Sequence, residues 1–266
     1  MAIKTNLDQG TVAPPFIVQR LPSMGWQYRD EFPDFSEEVT VKPLSFNTHA
    51  ILVTNLTSEE KMEAIVNEVS QFSSPIPASK LLIQDQYFIL ALARSLTFGD
   101  QYSFSAVCQN PRCNHVETAK IKVPDDVPIK WWSFKTRSEW EKHMTVILPT
   151  CRDKIILTYP TGESTKKHEV ATEVAMAAFP GDPPGRLAYL NRVASQITSV
   201  NGGKPTDLTE ARNYLVRLTG ADYDALETAI DANRCGITFV YKVICDKCHT
   251  AYETDIPIRD HFFRRE

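Results

Sequence analysis

Two pairs of cysteines limit the possible folds of this 266-residue chain more than any other feature. Cys108 and Cys113 lie in the segment VCQNPRC, and Cys245 and Cys248 lie in ICDKC. Four thiolates supplied as two close pairs are a typical ligand set of a structural, tetrahedral zinc site. Because the two pairs lie far apart in the sequence, one Zn²⁺ bound by all four would join two distant parts of the chain. The pattern therefore predicts a structural zinc site and makes a catalytic metal centre unexpected.

The overall composition excludes several classes of protein. A hydrophobic fraction of 42% and a charged fraction of 23% are typical of a soluble globular chain. No apolar run reaches the length of a membrane-spanning helix, and the first residues lack the apolar core of a secretory signal. Because disulfides form in oxidising compartments and the sequence shows no signal for reaching one, we expect the six cysteines to be thiols or metal ligands rather than disulfides. The net charge of −4, with no basic stripe, favours protein partners over nucleic acid.

The sequence around the first cysteine pair resembles the sequence around the second. Asp85 precedes Cys108 by 23 residues, and Asp222 precedes Cys245 by the same 23 residues. In each case the intervening segment has a helical pattern, a glycine and then an alternating strand. Upstream, LPS at 21–23 corresponds to LPT at 148–150. We interpret this match as an internal duplication, with chance similarity between two helix-to-strand units as the alternative.

The predicted fold is α+β, with two related helix-plus-strand halves joined by the four-cysteine site. We divide the chain into an extended N-terminal arm, a first half ending in the Cys108/Cys113 knuckle, a tryptophan-rich connecting lobe and a second half ending in the Cys245/Cys248 knuckle. The corresponding ranges are 1–20, 21–123, 124–147 and 148–266. Within the lobe, Trp131 and Trp132 are interpreted either as a protein contact or as core residues.

Several helices and strands can be predicted from local patterns. TSEEKMEAIVNEVSQF begins with a capping-box sequence, Thr57-x-x-Glu60, and its apolar residues fall on one helical face. QDQYFILALARSL is predicted as an apolar helix that ends near Gly99. ESTKKHEVATEVAMAAF is predicted as a helix, broken by GDPPG, and LAYLNRVASQITSV as a continuation of the helical pattern.

Other side chains could carry chemistry, and each has a simpler explanation. His115 and His249 follow the second cysteine of each pair closely and could replace a thiolate, but a neighbouring role outside the ligand set is the commoner one. Cys151 and Cys235 have no partner at ligand spacing and are predicted to be small core residues.

The sequence gives no pattern typical of an enzyme. A Cys/His hydrolase built from Cys151 with His143 or His168 would lack a glycine-rich oxyanion turn, and no GxGxxG, P-loop or HExxH sequence occurs. We therefore predict a protein that is not an enzyme.

The order of these segments resembles the baseplate hub proteins of contractile-tailed bacteriophages, of the T-even hub type. Members of that family have patterns such as LPSKGxxY, DxxxLLxxLRxxTYG, VxCPxCG and FxVxCPxCGxxFExxxPLxxxFF. The corresponding segments here are LPSMGWQY, DQYFILALARSLTFG, VCQNPRCNH and FVYKVICDKCHTAYETDIPIRDHFF. Two departures stand out: the first knuckle has four residues between its cysteines, and neither knuckle has glycine after its second cysteine.

The resemblance implies a structural protein or assembly factor of a tail baseplate, assembled in the host cytoplasm and located in the virion. Its expected partners are other tail and baseplate proteins in a multi-copy assembly, with neither nucleic acid nor membrane. A zinc-ribbon regulator that binds nucleic acid is the alternative, and salt-dependent binding to DNA or RNA would distinguish it.

Overall fold

The computed structural model describes residues 16–178, 184–258 and 260–263, and within this part helices and strands are mixed. The predicted α+β class is confirmed. The strands are β1 (Ile17–Arg20), β2 (Glu38–Val41), β3 (Ser70–Phe72), β4 (Gln101–Val107), β5 (Val116–Lys122), β6 (Ile129–Lys130), β7 (Thr145–Ile147), β8 (Lys154–Leu157), β9 (Ile197–Val200), β10 (Gly236–Ile237), β11 (Val240–Ile244) and β12 (Ala251–Asp255). The helices are α1 (Phe46–Leu52), α2 (Ser58–Val69), α3 (Ile83–Phe98), α4 (Arg137–His143), α5 (Gly162–Ala178), α6 (Pro184–Ala194), α7 (Leu208–Leu215) and α8 (Gly220–Asn233).

Two small antiparallel sheets have the same strand order. The first is β1-β2-β3, and the second is β7-β8-β9. In each sheet two helices separate the second strand from the third: α1 and α2 in the first sheet, α5 and α6 in the second. After each sheet a long helix leads to an antiparallel hairpin, α3 to β4-β5 and α8 to β11-β12.

Local sequence explains where the first-half helices begin and end. Thr57 Oγ1 accepts a hydrogen bond from the Glu60 N–H, and Glu60 Oε2 accepts one from the Thr57 N–H, which completes the predicted capping box of α2. Helix α3 ends at Gly99, whose φ of +82° suits glycine better than other residues. Gly236, the glycine between Asp222 and Cys245 that corresponds to Gly99, lies in β10 at φ +99°, where an added Cβ would collide with the side chain of Gln84.

A carboxylate anchors the LPS turn, and a second carboxylate anchors the LPT turn. The backbone N–H of Ser23 donates to Asp85 Oδ1 at 3.2 Å, and the backbone N–H of Thr150 donates to Asp222 Oδ1 at 2.7 Å. Both aspartates are buried near the start of a long helix. The two positions that the sequence aligns therefore make the same hydrogen bond.

The apolar side chains of both sheets, both hairpins and helix α3 form one continuous core. Trp132 and Trp140 are buried in it, and Trp132 Nε1 donates to the carbonyl of Asn233 at 2.8 Å. Trp131 is 44% exposed and packs edge-on against Phe88. Of the two interpretations for the tryptophan pair, core packing describes Trp132.

The structure corrects several predictions. The helical pattern predicted for LAYLNRVASQITSV ends at Ala194, because ITSV forms β9 and pairs with β8. The last residues of TSEEKMEAIVNEVSQF form β3, and α1 was missed altogether. Within the predicted arm, residues 1–15 lie outside the described part of the chain, whereas Ile17–Arg20 pair with β2 and belong to the first sheet.

The predicted break at GDPPG falls largely outside the described residues. Among the helices that the structure describes, we find none with the length and apolar character needed to cross a membrane.

Candidate metal centre

The first cysteine pair lies in the loop between β4 and β5. The strands pair in register up to Val107 and Val116, and the Cys108 N–H donates to the carbonyl of His115 at 2.8 Å. The Cys113 N–H then donates to the carbonyl of Asn110 at 2.9 Å. These hydrogen bonds fold the loop back so that its two thiols lie on the same side.

The second pair lies at the equivalent point of the β11-β12 hairpin. The Cys245 N–H donates to the carbonyl of Thr250 at 3.0 Å, and the His249 N–H donates to the carbonyl of Cys245 at 2.8 Å. The residue after the second cysteine has positive φ in both loops: Asn114 at +45° and His249 at +58°. At both places a residue other than glycine therefore takes the left-handed conformation that glycine adopts most easily.

All four predicted ligands come together. The Sγ atoms of Cys108, Cys113, Cys245 and Cys248 lie within 4.8 Å of one another. Cys108 Sγ lies 3.6 Å from Cys248 Sγ, and Cys113 Sγ lies 3.8 Å from Cys245 Sγ. Each of these short distances joins one hairpin to the other, so the cluster lies between the two distant parts of the chain.

The distances agree with a metal site and not with disulfides. A disulfide would bring two sulfurs to about 2.05 Å, far shorter than either distance. Zinc–sulfur bonds of about 2.3 Å in tetrahedral geometry place the sulfurs about 3.8 Å apart. The four thiols therefore fit around one Zn²⁺, which would supply positive charge and four bonds at the junction of the hairpins.

Neighbouring groups affect the charge on the sulfurs. The hydroxyl and N–H of Thr250 lower the pKa of the Cys248 thiol to about 6, which favours the metal-binding thiolate. The N–H of Asn110 lowers the pKa of Cys108, but burial and the nearby thiols outweigh it and raise the pKa to about 12. A divalent cation would compensate the negative charge that four clustered thiolates carry.

Residues around the cluster also join the two hairpins. Asn110 Nδ2, from the first loop, donates to Cys248 Sγ at 3.8 Å. The Tyr252 hydroxyl, from β12, donates to Glu117 Oε1 at 2.9 Å, and the Asp246 N–H donates to Glu117 Oε2 at 3.4 Å. Sequence reasoning missed these contacts, since no local pattern marks a glutamate or a tyrosine on a strand as a partner of a distant loop.

The other candidate residues lie outside this cluster. The metal-competent group found among the described residues contains four cysteines and neither His115 nor His249. Cys235 is buried, as expected for a small core residue. Cys151 is exposed, so the prediction that it belongs to the core was wrong. It follows the LPT turn on the way to β8, where its side chain faces solvent.

Comparison with known proteins identifies the family. Residues 26–264 match the model of the family described as T4 bacteriophage base plate protein. Comparisons with curated proteins and with solved structures gave no match. The matched region includes both sheets from β2 onward, both hairpins and all four clustered cysteines, so this chain belongs to the T4 bacteriophage base plate protein family.

Proposed function

We propose that this protein is a non-catalytic structural component or assembly factor of a contractile tail baseplate, in the hub region, with a structural zinc. Family membership implies association with other phage baseplate proteins and a place in the tail. The hub position rests on the sequence resemblance described above. The single observation that carries the structural part of the proposal is the convergence of four thiols from two hairpins.

The role of the proposed zinc is to connect the two hairpins and stabilise the fold. Each hairpin supplies two ligands, and two thiolates alone leave a tetrahedral shell incomplete. Bound Zn²⁺ therefore adds to folding free energy, on the order of 10 kcal/mol for sites of this type. The ion holds β4-β5 against β11-β12, and with them the surfaces through which a baseplate protein contacts its neighbours.

We further infer that the two halves arose by duplication. Support comes from the matching strand order of the two sheets, the matching helix-to-hairpin connections and the equivalent hydrogen bonds of Asp85 and Asp222. The left-handed residues Asn114 and His249 occupy matching places in the knuckles. On this reading, the metal lies at the joint between two related units.

Complementation of a phage that lacks this gene tests the proposed function. We expect the deletion to stop tail assembly, and the wild-type gene to restore tails with complete baseplates in electron micrographs. Cys151→Ser should complement, because Cys151 is exposed and outside the cluster. Cys245→Ser should fail to complement. Infectious particles with normal baseplates in the absence of the gene would contradict the proposal.

A further inference from the structure

The second half of helix α5 is apolar on the side that faces solvent, whereas the exposed Lys167 lies on the same face one turn before Val170. Its inner side packs on the rest of the molecule, where Thr172 is buried and its hydroxyl accepts a hydrogen bond from Asn191 Nδ2 at 2.9 Å. Val170 and Val174 are 60% and 65% exposed. With 3.6 residues per turn, these valines and exposed Ala177 lie on the helix face roughly opposite Thr172. A surface helix ordinarily carries polar residues there.

An acidic edge runs beside this apolar stripe. Glu169 and Glu173 are both exposed and lie one helical turn apart. None of the ion pairs in the described part of the chain involves either residue, whereas Lys166 and Lys167 pair with Glu63 and Glu163. Partial burial of Glu169, together with the negative charges of Glu59 and Glu173, raises its pKa against the opposing effect of nearby Lys166. Lys166 lies one turn before Glu169 on this edge, but its ammonium group is bonded to Glu63, so neither Glu169 nor Glu173 has an ion-pair partner among the described residues.

We propose that this outer face of α5, defined by Val170, Val174 and Ala177 with the acidic edge of Glu169 and Glu173, docks an amphipathic helix of another protein that carries Lys or Arg beside its own apolar stripe. Apolar stripes on two helices bury each other at a spacing of three and four residues. Basic residues at the edge of the partner would neutralise Glu169 and Glu173. That the partner is another tail protein rests on the function proposed above.

A second copy of this chain fits the face less well. When two helices pack antiparallel, each edge of one meets the same edge of the other. Self-pairing in that orientation would bring Glu169 and Glu173 against the same acidic edge of the second copy, and like charges across an interface oppose binding. The charge pattern therefore selects a partner with a basic edge.

Two designed peptides test the proposal on the intact protein. Both form helices of about twenty residues with one leucine stripe, and they differ only in carrying Lys or Glu along one edge. In fluorescence anisotropy, we expect the basic peptide to bind roughly tenfold more tightly than the acidic one. Two exposed ion pairs, with Glu169 and Glu173, supply a factor of about that size. The double variant Glu169→Lys, Glu173→Lys should reverse the preference.

The apolar stripe is tested by the double variant Val170→Ser, Val174→Ser, which should weaken binding of the basic peptide at least tenfold. Val216→Ser is the matched control, because Val216 is an exposed valine just after α7. Thermal unfolding verifies that each variant is folded. Equal binding of the two peptides, or unchanged binding by the serine double variant, would overturn the proposal.

Two further results separate this proposal from its alternatives. A wild-type dimer in analytical ultracentrifugation that the serine double variant abolishes would assign the face to a second copy and overturn the inference. Normal tail assembly by the serine double variant, in a phage whose deletion mutant fails, would also overturn it while leaving the proposed function intact. Failure of the proposed function alone would appear as normal tails in the deletion mutant.

Discussion

Asp85 and Asp222 make the same backbone hydrogen bond in surroundings that affect their charge in opposite ways. Burial raises the pKa of Asp85 to about 6, although Ser23 and Tyr28 donate hydrogen bonds to its carboxylate. Burial also acts on Asp222, but donors that include the Thr150 N–H and the Thr219 hydroxyl outweigh it and lower the pKa. Equivalent carboxylates should therefore affect stability in different pH ranges.

Replacing Asp85 by Asn should change how stability depends on pH. Since its pKa is about 6 in the folded chain and about 3.9 when unfolded, the folded chain binds the extra proton between these values. This group's contribution therefore falls as pH rises from 4 to above 6, by up to about 3 kcal/mol. In urea unfolding at pH 5 and pH 7.5, the free energy of unfolding should fall more steeply with rising pH for wild type than for Asp85→Asn.

Asp222→Asn is the matched comparison. Because the pKa of Asp222 is lowered in the folded chain, its carboxylate stabilises the fold above the unfolded pKa and loses that contribution as pH falls below about 4. The Asn variant should therefore be more destabilised at pH 7 than at pH 3. If both variants differ from wild type by the same amount at every pH, the assigned pKa directions are wrong.

Single cysteine substitutions should fall into two groups. Cys245→Ser removes a buried thiol from the proposed zinc site, and we expect the melting temperature to fall by about 10 °C or more. Cys151→Ser should leave it within about 2 °C, since an exposed side chain outside the cluster has little to lose. Differential scanning calorimetry measures both. Equal melting temperatures for the two variants would show that the cluster does not stabilise the fold.

At the level of secondary structure, the cap of α2 gives a separate prediction. Thr57→Ala removes the hydroxyl that accepts the Glu60 N–H and should cost about 1 kcal/mol. Thr57→Ser keeps the hydroxyl and should retain most of that free energy. Thermal or urea unfolding of the two variants compares them directly. An alanine variant as stable as the serine variant would mean that the capping box does not contribute to the free energy of unfolding.

The helices and strands that could be predicted from the sequence are those determined by residues close to them in the chain. The capping box of α2, the glycine stop of α3 and the alternating strand β4 can be recognised from neighbouring residues. Strand β9 was missed because the helical pattern of α6 runs directly into it. Its conformation depends on pairing with β8, some forty residues earlier in the chain. Strand β3 was missed for the same reason, since its pairing with β2 is also distant in sequence.

The candidate site divides in a similar way. The four clustered cysteines could be predicted because the short spacing within each pair is a local pattern typical of a zinc knuckle. The left-handed residues Asn114 and His249 could have been found from the glycines missing at those places. Contacts of Glu117 and Asn110 could not, because they depend on how two hairpins from distant parts of the chain face each other.

At the scale of the whole molecule, the matching elements share one core, and their hairpins meet at one cluster of thiols. The continuous core includes the sheets, the hairpins and the buried tryptophans between them. Tyr102, in the first hairpin, donates a hydrogen bond to the carbonyl of Pro257 at 2.8 Å and packs against Phe262. Part of the C-terminal segment thus packs against the first hairpin, and the four clustered cysteines bring the tips of the two hairpins together.

In the proposed function, a structural zinc ion joins the two hairpins of this baseplate family protein. The most direct test is the metal content of protein purified without chelators, measured by inductively coupled plasma mass spectrometry. We predict one zinc per chain in wild type and in Cys151→Ser, and a loss of stoichiometric zinc in Cys245→Ser. Wild-type protein that is folded but contains no stoichiometric metal would rule out the structural zinc.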